Sequence, residues 1–358
     1  MAGFGDFLQS FLRSLSRIFP WTQGGGGERF LAIDLGTRNI LMHEHGAGRI
    51  TDEPSVVAVE REGFRDGRAV VVAAGKDAEA KLDRVGSNII AERPLKDGTI
   101  EDPDLVEAML RYFLEKGGGP KRYTVAMIGV PVSTTLGERR IYEQVCEKAG
   151  IDEVFLEDEV RAAAKGAGLK VGRPQGHMVV DIGGGTTDVA VISHNSIIEK
   201  ASNTTAGDAM DKAIQRYIRN NKDIDISIGQ AETIKKAMGS AIPVPDRSPM
   251  KVTGQHRIQR RPAEAEVNQE DIRQALKAPV DKIVHLIMSL LERTPPALAE
   301  DVYKDGILLV GGGSILEGLD KRIEETTKLP VRLCEDPQNA VIKGLEMFVD
   351  QMVRDREG

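Results

Sequence analysis

Glycine-rich turns follow apolar strands at three widely separated places in this chain of 358 residues. The first reads IDLGT (33–37), the second DIGGGT (181–186) and the third LLVGGGS (308–314). Consecutive glycines cost backbone entropy on folding, so a glycine triplet is typical of a place where the backbone approaches a bulky group closely. The first two turns share the pattern Asp, apolar, Gly, Thr, which predicts two similar lobes whose turns face each other.

The residue types in these turns indicate phosphate chemistry. Asp34 ends a buried strand, where a carboxylate is costly without a partner. Backbone N–H groups of such a turn can hold phosphate oxygens while the aspartate faces a hydrated Mg²⁺. Asp181 and Asp188 bracket the second turn in the same way. An ordinary hairpin turn remains the alternative for IDLGT alone, and a turn that needs positive φ remains the alternative for LLVGGGS.

Taken together, the three turns predict a nucleoside triphosphate held in a cleft between two lobes. The spacing GxGxxG is absent from all three, so a dinucleotide fingerprint is excluded. The formal net charge is −7 and no long basic block occurs, which argues against nucleic acid as a partner. Two cysteines, Cys146 and Cys334, lack metal-ligand spacing and are expected to be reduced thiols in a cytosolic protein.

Hydrophobic periodicity predicts alternating strands and helices along the rest of the chain. Helices are expected at 103–116, 135–150, 160–168 and 207–221, and a final one at 338–353. The segment 268–294 is predicted as one long helix or two, with Pro279 as the point of a kink. The weakly alternating stretch 241–268 is predicted to form exposed strands and loops.

Acidic side chains supply candidates for the activation of water. Glu157, Asp158 and Glu159 end a strand just before a helix, where one carboxylate can orient an attacking water. A solvated acidic helix start is the alternative for at least two of the three. Glu232 and Lys235 share a helix face at i and i+3, and a surface salt bridge is their alternative role.

Five motifs resemble the actin-like ATPases, and within them the MreB-type bacterial actin homologues that set rod cell shape. They are IDLGT, VFLEDEVRAAAKGAG, MVVDIGGGTTDVAVIS, AGDAMDKAI and LLVGGGSILEGL, in this order. The resemblance spans about residues 30–350 and marks a divergent member. It implies an α/β fold, the actin-like ATPase fold, with two RNase-H-like lobes (IA/IB and IIA/IIB) around a nucleotide cleft. Lobe I is expected at 29–160 (subdomain IB about 50–115), and lobe II at 161–350 (subdomain IIB about 208–270).

The resemblance also implies ATP or GTP with Mg²⁺ in the cleft. Asp34 and Asp181 are expected to face the metal shell, and Glu159 to orient water. The family usually has Glu-Pro where Glu159 and Val160 stand, and a small residue where Arg38 stands, so slow hydrolysis is expected. The implied nucleotide-binding residues form four segments: Gly36, Thr37, Arg38 and Asn39; Gly183, Gly184, Gly185 and Thr186; Glu232, Thr233, Ile234 and Lys235; Gly312, Gly313, Ser314 and Ile315.

Large apolar residues near the start of the chain lie on one face of a predicted helix at 1–22, followed by a glycine linker at 23–28. A secretion signal needs an unbroken apolar core and an early positive charge, and this segment has neither. Packing into the core is the other alternative, but the glycine run argues against it. The pattern favours a helix that lies in a membrane interface. Its apolar face comprises Phe4, Phe7, Leu8, Phe11, Leu12, Leu15, Ile18 and Phe19.

These features predict a cytoskeletal filament protein in the cytoplasm, peripheral on the cytoplasmic membrane. Its expected partners are further copies of itself, the inner face of that membrane through residues 4–19, and membrane proteins of cell shape or cell-wall synthesis. A non-polymerising actin-like scaffold of the FtsA or PilM kind remains an alternative. A chaperone-type ATPase is less favoured because it needs a β-rich substrate domain, and a sugar kinase because its motifs fit poorly.

Overall fold

A computed structural model describes residues 28–65, 68–82, 88–117, 123–245 and 247–357. The predicted membrane helix and its glycine linker up to Gly27 lie outside these residues. The described strands are, in chain order, β1 (Arg29–Leu35), β2 (Asn39–Glu44), β3 (Gly48–Pro54), β4 (Val57–Arg65), β5 (Arg68–Ala74), β6 (Ile89–Glu92), β7 (Leu95–Lys96), β8 (Thr99–Ile100), β9 (Thr124–Val130), β10 (Glu153–Asp158), β11 (His177–Ile182), β12 (Thr187–Ser193), β13 (Ser196–Asn203), β14 (Ile224–Asp225), β15 (Met250–His256), β16 (Pro262–Val267), β17 (Ile307–Val310) and β18 (Val331–Leu333).

The predicted helices are observed with ends that agree to within a few residues, whereas the helices Lys76–Glu79, Pro296–Asp305 and Leu319–Thr327 were not predicted. Residues 269–291 form one helix that continues through Pro279, so the single-helix alternative is the one observed. The described helices are α1 (Lys76–Glu79), α2 (Pro103–Lys116), α3 (Leu136–Ala149), α4 (Glu159–Gly166), α5 (Gly207–Lys222), α6 (Ile228–Met238), α7 (Gln269–Leu291), α8 (Pro296–Asp305), α9 (Leu319–Thr327) and α10 (Ala340–Glu357). Within the described ranges, no helix is long and apolar enough to cross a membrane.

Two five-stranded sheets share one topology. The first has the order β10-β9-β1-β2-β3 and the second the order β13-β12-β11-β17-β18. In each sheet the central strand pairs antiparallel with the next strand along the chain and parallel with a later one. The internal repeat predicted from the two Asp–Gly–Thr turns is therefore confirmed as a duplicated strand order.

Alternating side chains give each large sheet two buried faces. In β1, Leu31 and Ile33 pack on one side with residues of α2 and α3, while Ala32 faces the other side. In β11, Val180 packs with residues of α5 and α7, while Val179 joins the same central cluster as Ala32. This period of two is what a strand buried on both faces requires. Helices α4 and α10 complete the central cluster between the two sheets.

Helices α4 and α10 cross with almost no space between their backbones. A Cβ atom added to Gly344 of α10 would lie 1.8 Å from the carbonyl oxygen of Ala162. One added to Gly166 of α4 would lie 2.0 Å from the carbonyl oxygen of Ala340. The two glycines are therefore needed because they let the helices touch.

Two smaller three-stranded sheets lie beside the large ones. Strands β5, β4 and β6 form one, and β14, β15 and β16 form the other. Strands β15 and β16 of the second lie in the stretch 241–268, which was predicted to form exposed strands and loops. A short hairpin of β7 and β8 places Gly98, with φ +77°, next to the second glycine turn.

Candidate functional site

The first two glycine turns leave the carboxyl ends of β1 and β11 and face one cavity of about 590 Å³. Both large sheets contribute to its walls, as the duplicated topology requires. The predicted site residues that line it are Asp34, Gly36, Thr37, Arg38, Asn39, Glu159, Asp181, Gly183, Gly184, Gly185, Thr186, Glu232, Lys235, Gly312, Gly313 and Ile315.

Three other predicted residues do not line the cavity. Thr233 is exposed on the far side of α6 and donates to the carbonyl oxygen of Gly229. Ile234 packs in the hydrophobic core of the second sheet. Ser314 is buried and donates from its hydroxyl to the carbonyl oxygen of Gly311. A helix turn has to expose some of its residues and bury others, so four consecutive residues of α6 cannot all face one ligand.

The two glycine turns approach each other so closely that side chains would not fit. A Cβ atom on Gly185 would lie 2.6 Å from the hydroxyl oxygen of Thr37. One on Gly98 would lie 2.5 Å from a methyl carbon of Thr186. The amide of Gly98 also donates to the hydroxyl oxygen of Thr37 at 3.3 Å. Glycine is thus required where the lobes meet.

Three helices begin at the cavity. Glu159 is the first residue of α4 and Gly207 the first of α5, while Val341 lies at the start of α10, and all three line the walls. The amino end of a helix carries partial positive charge and attracts anions. The cavity is therefore electrostatically suited to an anionic ligand, although its side chains include several carboxylates.

Carboxylates at the bottom of the cavity have raised pKa values. Desolvation raises the pKa of Asp34 to about 7. Desolvation, together with the neighbouring charges of Asp188 and Asp34, raises the pKa of Asp181 to about 8. The pKa of Glu159 is also raised, first by burial and then by the charges of Asp34, Asp188 and Asp181. A bound cation would relieve the repulsion between these carboxylates.

These carboxylates do not converge tightly enough to coordinate a metal directly. No group of three or more His, Cys, Asp or Glu residues positioned to hold an ion occurs in the part of the chain that the structure describes. Asp188 does not line the cavity, and its side chain bonds to Ser202 and Thr186. The arrangement of Asp34 and Asp181 fits a hydrated Mg²⁺ that is contacted through its water ligands.

The three acidic residues before α4 have different environments. Glu157 is buried and accepts from Arg161 Nε at 2.6 Å, and Asp158 accepts from Arg139. Of the three, only Glu159 lines the cavity. Arg161 also donates to the carbonyl oxygen of Asn195 and so points away from the cavity. The alternative of a solvated acidic helix start is therefore wrong for Glu157, which is buried in β10, and Asp158 is paired with an arginine just before α4.

Arg38 reaches across the cavity to three carboxylates, of which Asp208 and Asp211 were not assigned from the sequence. Its guanidinium pairs with Asp208, with Asp211 (Nη2 to Oδ2, 2.8 Å) and with Glu232 (Nη1 to Oε2, 3.4 Å). Lys235 Nζ pairs with the other oxygen of Asp211, also at 2.8 Å. The motif AGDAMDKAI contains both aspartates, but nothing in it indicates a partner some 170 residues away.

The third glycine turn completes the cavity. Gly311 has φ +82°, and a Cβ atom there would lie 2.3 Å from Asp181 Oδ1, so only glycine fits. Its amide donates to the carbonyl oxygen of Pro337 at 2.8 Å. The neighbouring residues Gln338 and Asn339 line the cavity as well, and no sequence pattern singled them out.

The family profile described as "MreB/Mbl protein" matches residues 28–357. The chain belongs to the MreB/Mbl family. The cell shape-determining protein Mbl of Bacillus subtilis (strain 168) is 37% identical over 326 residues, which are 90% of this chain and 96% of that protein. The cell shape-determining protein MreB of Escherichia coli (strain K12) is 41% identical over 317 residues, 88% of this chain and 91% of that protein.

Solved structures of other proteins have the same fold. MreB 5 of Spiroplasma citri bound to AMPPNP superposes with a TM-score of 0.87 at 32% identity, over 93% of this chain and 99% of that one. The MamK double helical filament has a TM-score of 0.75 at 20% identity, over 90% of this chain and 99% of that one, and supports the fold alone. The predicted actin-like fold and the resemblance to MreB-type proteins are confirmed, and this chain is an actin-like cytoskeletal protein.

Proposed function

We propose that this MreB/Mbl-family protein binds ATP or GTP with Mg²⁺ between its lobes, hydrolyses it slowly and polymerises into filaments on the cytoplasmic face of the membrane. One observation carries the proposal: two glycine turns of the same pattern, one from each large sheet, face a single cavity of about 590 Å³. Turns of bare backbone supply N–H groups without side chains in the way, which is what close contact with phosphates requires.

The charges around the cavity support a nucleotide with its cation. The starts of α4, α5 and α10 attract the phosphates. Asp34 and Asp181 would face the water shell of Mg²⁺, which bridges phosphate oxygens and neutralises their charge when bound. MreB 5 of Spiroplasma citri has been crystallised with AMPPNP and with ADP, and that protein is 32–33% identical to this chain.

Glu159 is the residue that we propose orients the attacking water. It starts α4 at the cavity wall beside the carboxylates that face the cation. Its neighbour Val160 is fully buried in the central cluster, and Arg161 is bonded to Glu157. The departure from Glu-Pro therefore places no bulky group in the cavity.

The test compares Glu159→Gln with the unaltered protein in nucleotide binding and phosphate release. Glutamine keeps the shape of the side chain but accepts a weaker hydrogen bond from the attacking water. We therefore expect the rate of hydrolysis to fall by about a hundredfold or more while nucleotide affinity changes little. Asp77→Asn, on exposed α1, is the control and should leave both unchanged. Hydrolysis at the normal rate by Glu159→Gln would refute the role of Glu159. A protein that binds neither ATP nor GTP would refute the proposal for the cavity.

Polymerisation and shape determination are inferred from the relatives. Two of them, from Bacillus subtilis and Escherichia coli, are named cell shape-determining proteins. Membrane attachment is inferred from residues 4–19, whose apolar face would insert only partly and bind weakly as a single copy. A filament that displays many copies would bind by avidity. Membrane proteins of cell shape or cell-wall synthesis are the proposed further partners.

A further inference from the structure

Arg38 makes a bridge of ion pairs between the two lobes. It lies in the turn between β1 and β2, whereas Asp208 and Asp211 lie on α5 and Glu232 on α6. The guanidinium carries donors to all three carboxylates at once, an arrangement that suits the five donors spread over its rigid fork. We call Arg38, Asp208, Asp211 and Glu232 the Arg38 clamp.

The clamp is largely removed from water, so its charges depend on one another. The Arg38 side chain is 19% exposed and that of Asp211 only 1%. Lys235 and Lys236 also pair with these carboxylates, but both lie on α6 and therefore hold only lobe II together. Within this network of ion pairs, the contribution of lobe I comes from Arg38. Its removal would leave a nearly buried carboxylate with one cation fewer.

The side chain of Arg38 also covers the second glycine turn. A Cβ atom on Gly184 would lie 2.4 Å from Cγ of Arg38, so the stem of the arginine rests on that backbone. The backbone of Arg38 is fixed in turn, because its carbonyl oxygen accepts from the amide of Ser55 at 2.8 Å and from Arg93 Nη1 at 3.2 Å. The guanidinium is therefore held at the cavity wall between the two lobes.

We propose that the Arg38 clamp keeps the cleft closed and sets the rate at which nucleotide leaves it. This inference rests on the proposed function, since it assumes that the cavity holds a nucleotide. Closed lobes with water-excluded ion pairs between them must separate before a ligand in the cavity can leave. Arg38 thus acts as a positioning residue whose partners are the carboxylates of lobe II.

A direct contact between Arg38 and phosphate is the competing role, and the two roles differ in a measurable way. A phosphate contact contributes more to the binding of ATP than to that of ADP, and least to that of AMP, because fewer phosphates remain to be held. A clamp slows the release of all three nucleotides by the same factor, because it acts on the lobes. The ratio of the release rates therefore distinguishes the two.

The experiment measures release of fluorescent ATP, ADP and AMP analogues from the full chain and from Arg38→Ala and Asp208→Asn variants. We expect Asp208→Asn to release all three nucleotides about tenfold faster, the effect of losing one charge-assisted interaction, and Arg38→Ala, which loses three, to release them at least as fast. The double variant should be no faster than Arg38→Ala, because Asp208→Asn removes an ion pair that Arg38→Ala has already removed. Acceleration confined to ATP, or effects that multiply in the double variant, would overturn the proposal.

A matched control removes an arginine that does not cross the cleft. Arg29 on β1 pairs with Glu44 of the same sheet at 3.0 Å, and its side chain is 13% exposed. Arg29→Ala should therefore leave the release rates unchanged even if it lowers the melting temperature. If it accelerates release as much as Arg38→Ala does, loss of stability is the cause and the clamp is refuted.

A second readout needs no nucleotide and separates this inference from the proposed function. Spin labels at Glu92 and Lys251, both exposed, report the distance between the two small sheets after Cys334→Ser. Arg38→Ala should lengthen and broaden that distance distribution, and Arg29→Ala should not. An unchanged distribution in Arg38→Ala overturns the clamp, whether or not the protein binds nucleotides.

Discussion

At the scale of single residues, the site is a set of carboxylates placed where charge is costly. The sequence analysis predicted Asp34 and Asp181 because each follows a buried strand, a local pattern that neighbouring residues reveal. Asp208 and Asp211 were not assigned, since their partner Arg38 is brought to them by the meeting of two lobes. Local patterns predict strand ends and turns, but they do not predict which charges pair across a cleft.

The raised pKa values predict that the nucleotide-free protein loses stability as pH rises. Asp34 and Asp181 have pKa values of about 7 and about 8 in the folded state, against 3.8 ordinarily. Between about pH 4 and 8 the folded state thus binds more protons than the unfolded state, so the free energy of unfolding falls with rising pH. Each group contributes a slope of up to about 1.4 kcal/mol per pH unit.

Urea unfolding at pH 5, 6, 7 and 8, with EDTA and without nucleotide, measures this slope. Asp34→Asn should make it shallower, because the amide does not titrate. Asp336→Asn is the control, since a hydrogen bond from Lys343 lowers the pKa of that exposed carboxyl below this range. A slope that Asp34→Asn leaves unchanged would contradict the prediction.

At the scale of elements, the crossing of α4 and α10 holds the centre of the molecule together. Hydrophobic periodicity predicted both helices, because an apolar stripe is visible in each sequence. Their contact was not predicted, since Gly166 and Gly344 read in isolation only as weak points of a helix. A glycine reveals its role in packing only when the backbone opposite it is known.

Gly344→Ala should therefore destabilise the protein although alanine is the better helix former. The added Cβ would overlap the carbonyl of Ala162, and overpacking of a core typically costs about 1–3 kcal/mol. Gly229→Ala, on α6, is the matched control. No atom lies within 4 Å of its added Cβ, so stability should stay equal or rise by up to about 1 kcal/mol. Thermal unfolding compares the two, and an unaffected Gly344→Ala would refute the close crossing.

At the scale of the whole molecule, the duplicated strand order matches the repeat that the motifs IDLGT (33–37) and DIGGGT (181–186) already indicate. The described chain begins at Glu28, which pairs with Arg356 near the end of α10 at 3.3 Å. Arg356 also pairs with Glu153 at 2.6 Å. Glu28 is thus held against α10 by an ion pair, next to the start of β1.

Deletion of residues 1–22 should abolish co-sedimentation with liposomes and leave nucleotide-dependent pelleting intact. The ion pair of Glu28 is kept, so the melting temperature should change little. Phe7→Ser with Phe11→Ser is a milder variant that keeps the full length and should weaken liposome binding in the same direction. If the truncated protein still binds liposomes, the membrane helix is assigned wrongly.

The chain passes between the two large sheets at two places, through α4 and on the way from β18 into α10, and these two helices touch. An opening motion that preserves both sheets has to turn about this pair. We expect the pair to act as the hinge of that motion, with the Arg38 clamp at a different part of the cavity wall. Because the clamp acts at a distance from the axis of that rotation, a few ion pairs there can resist an opening of the cleft.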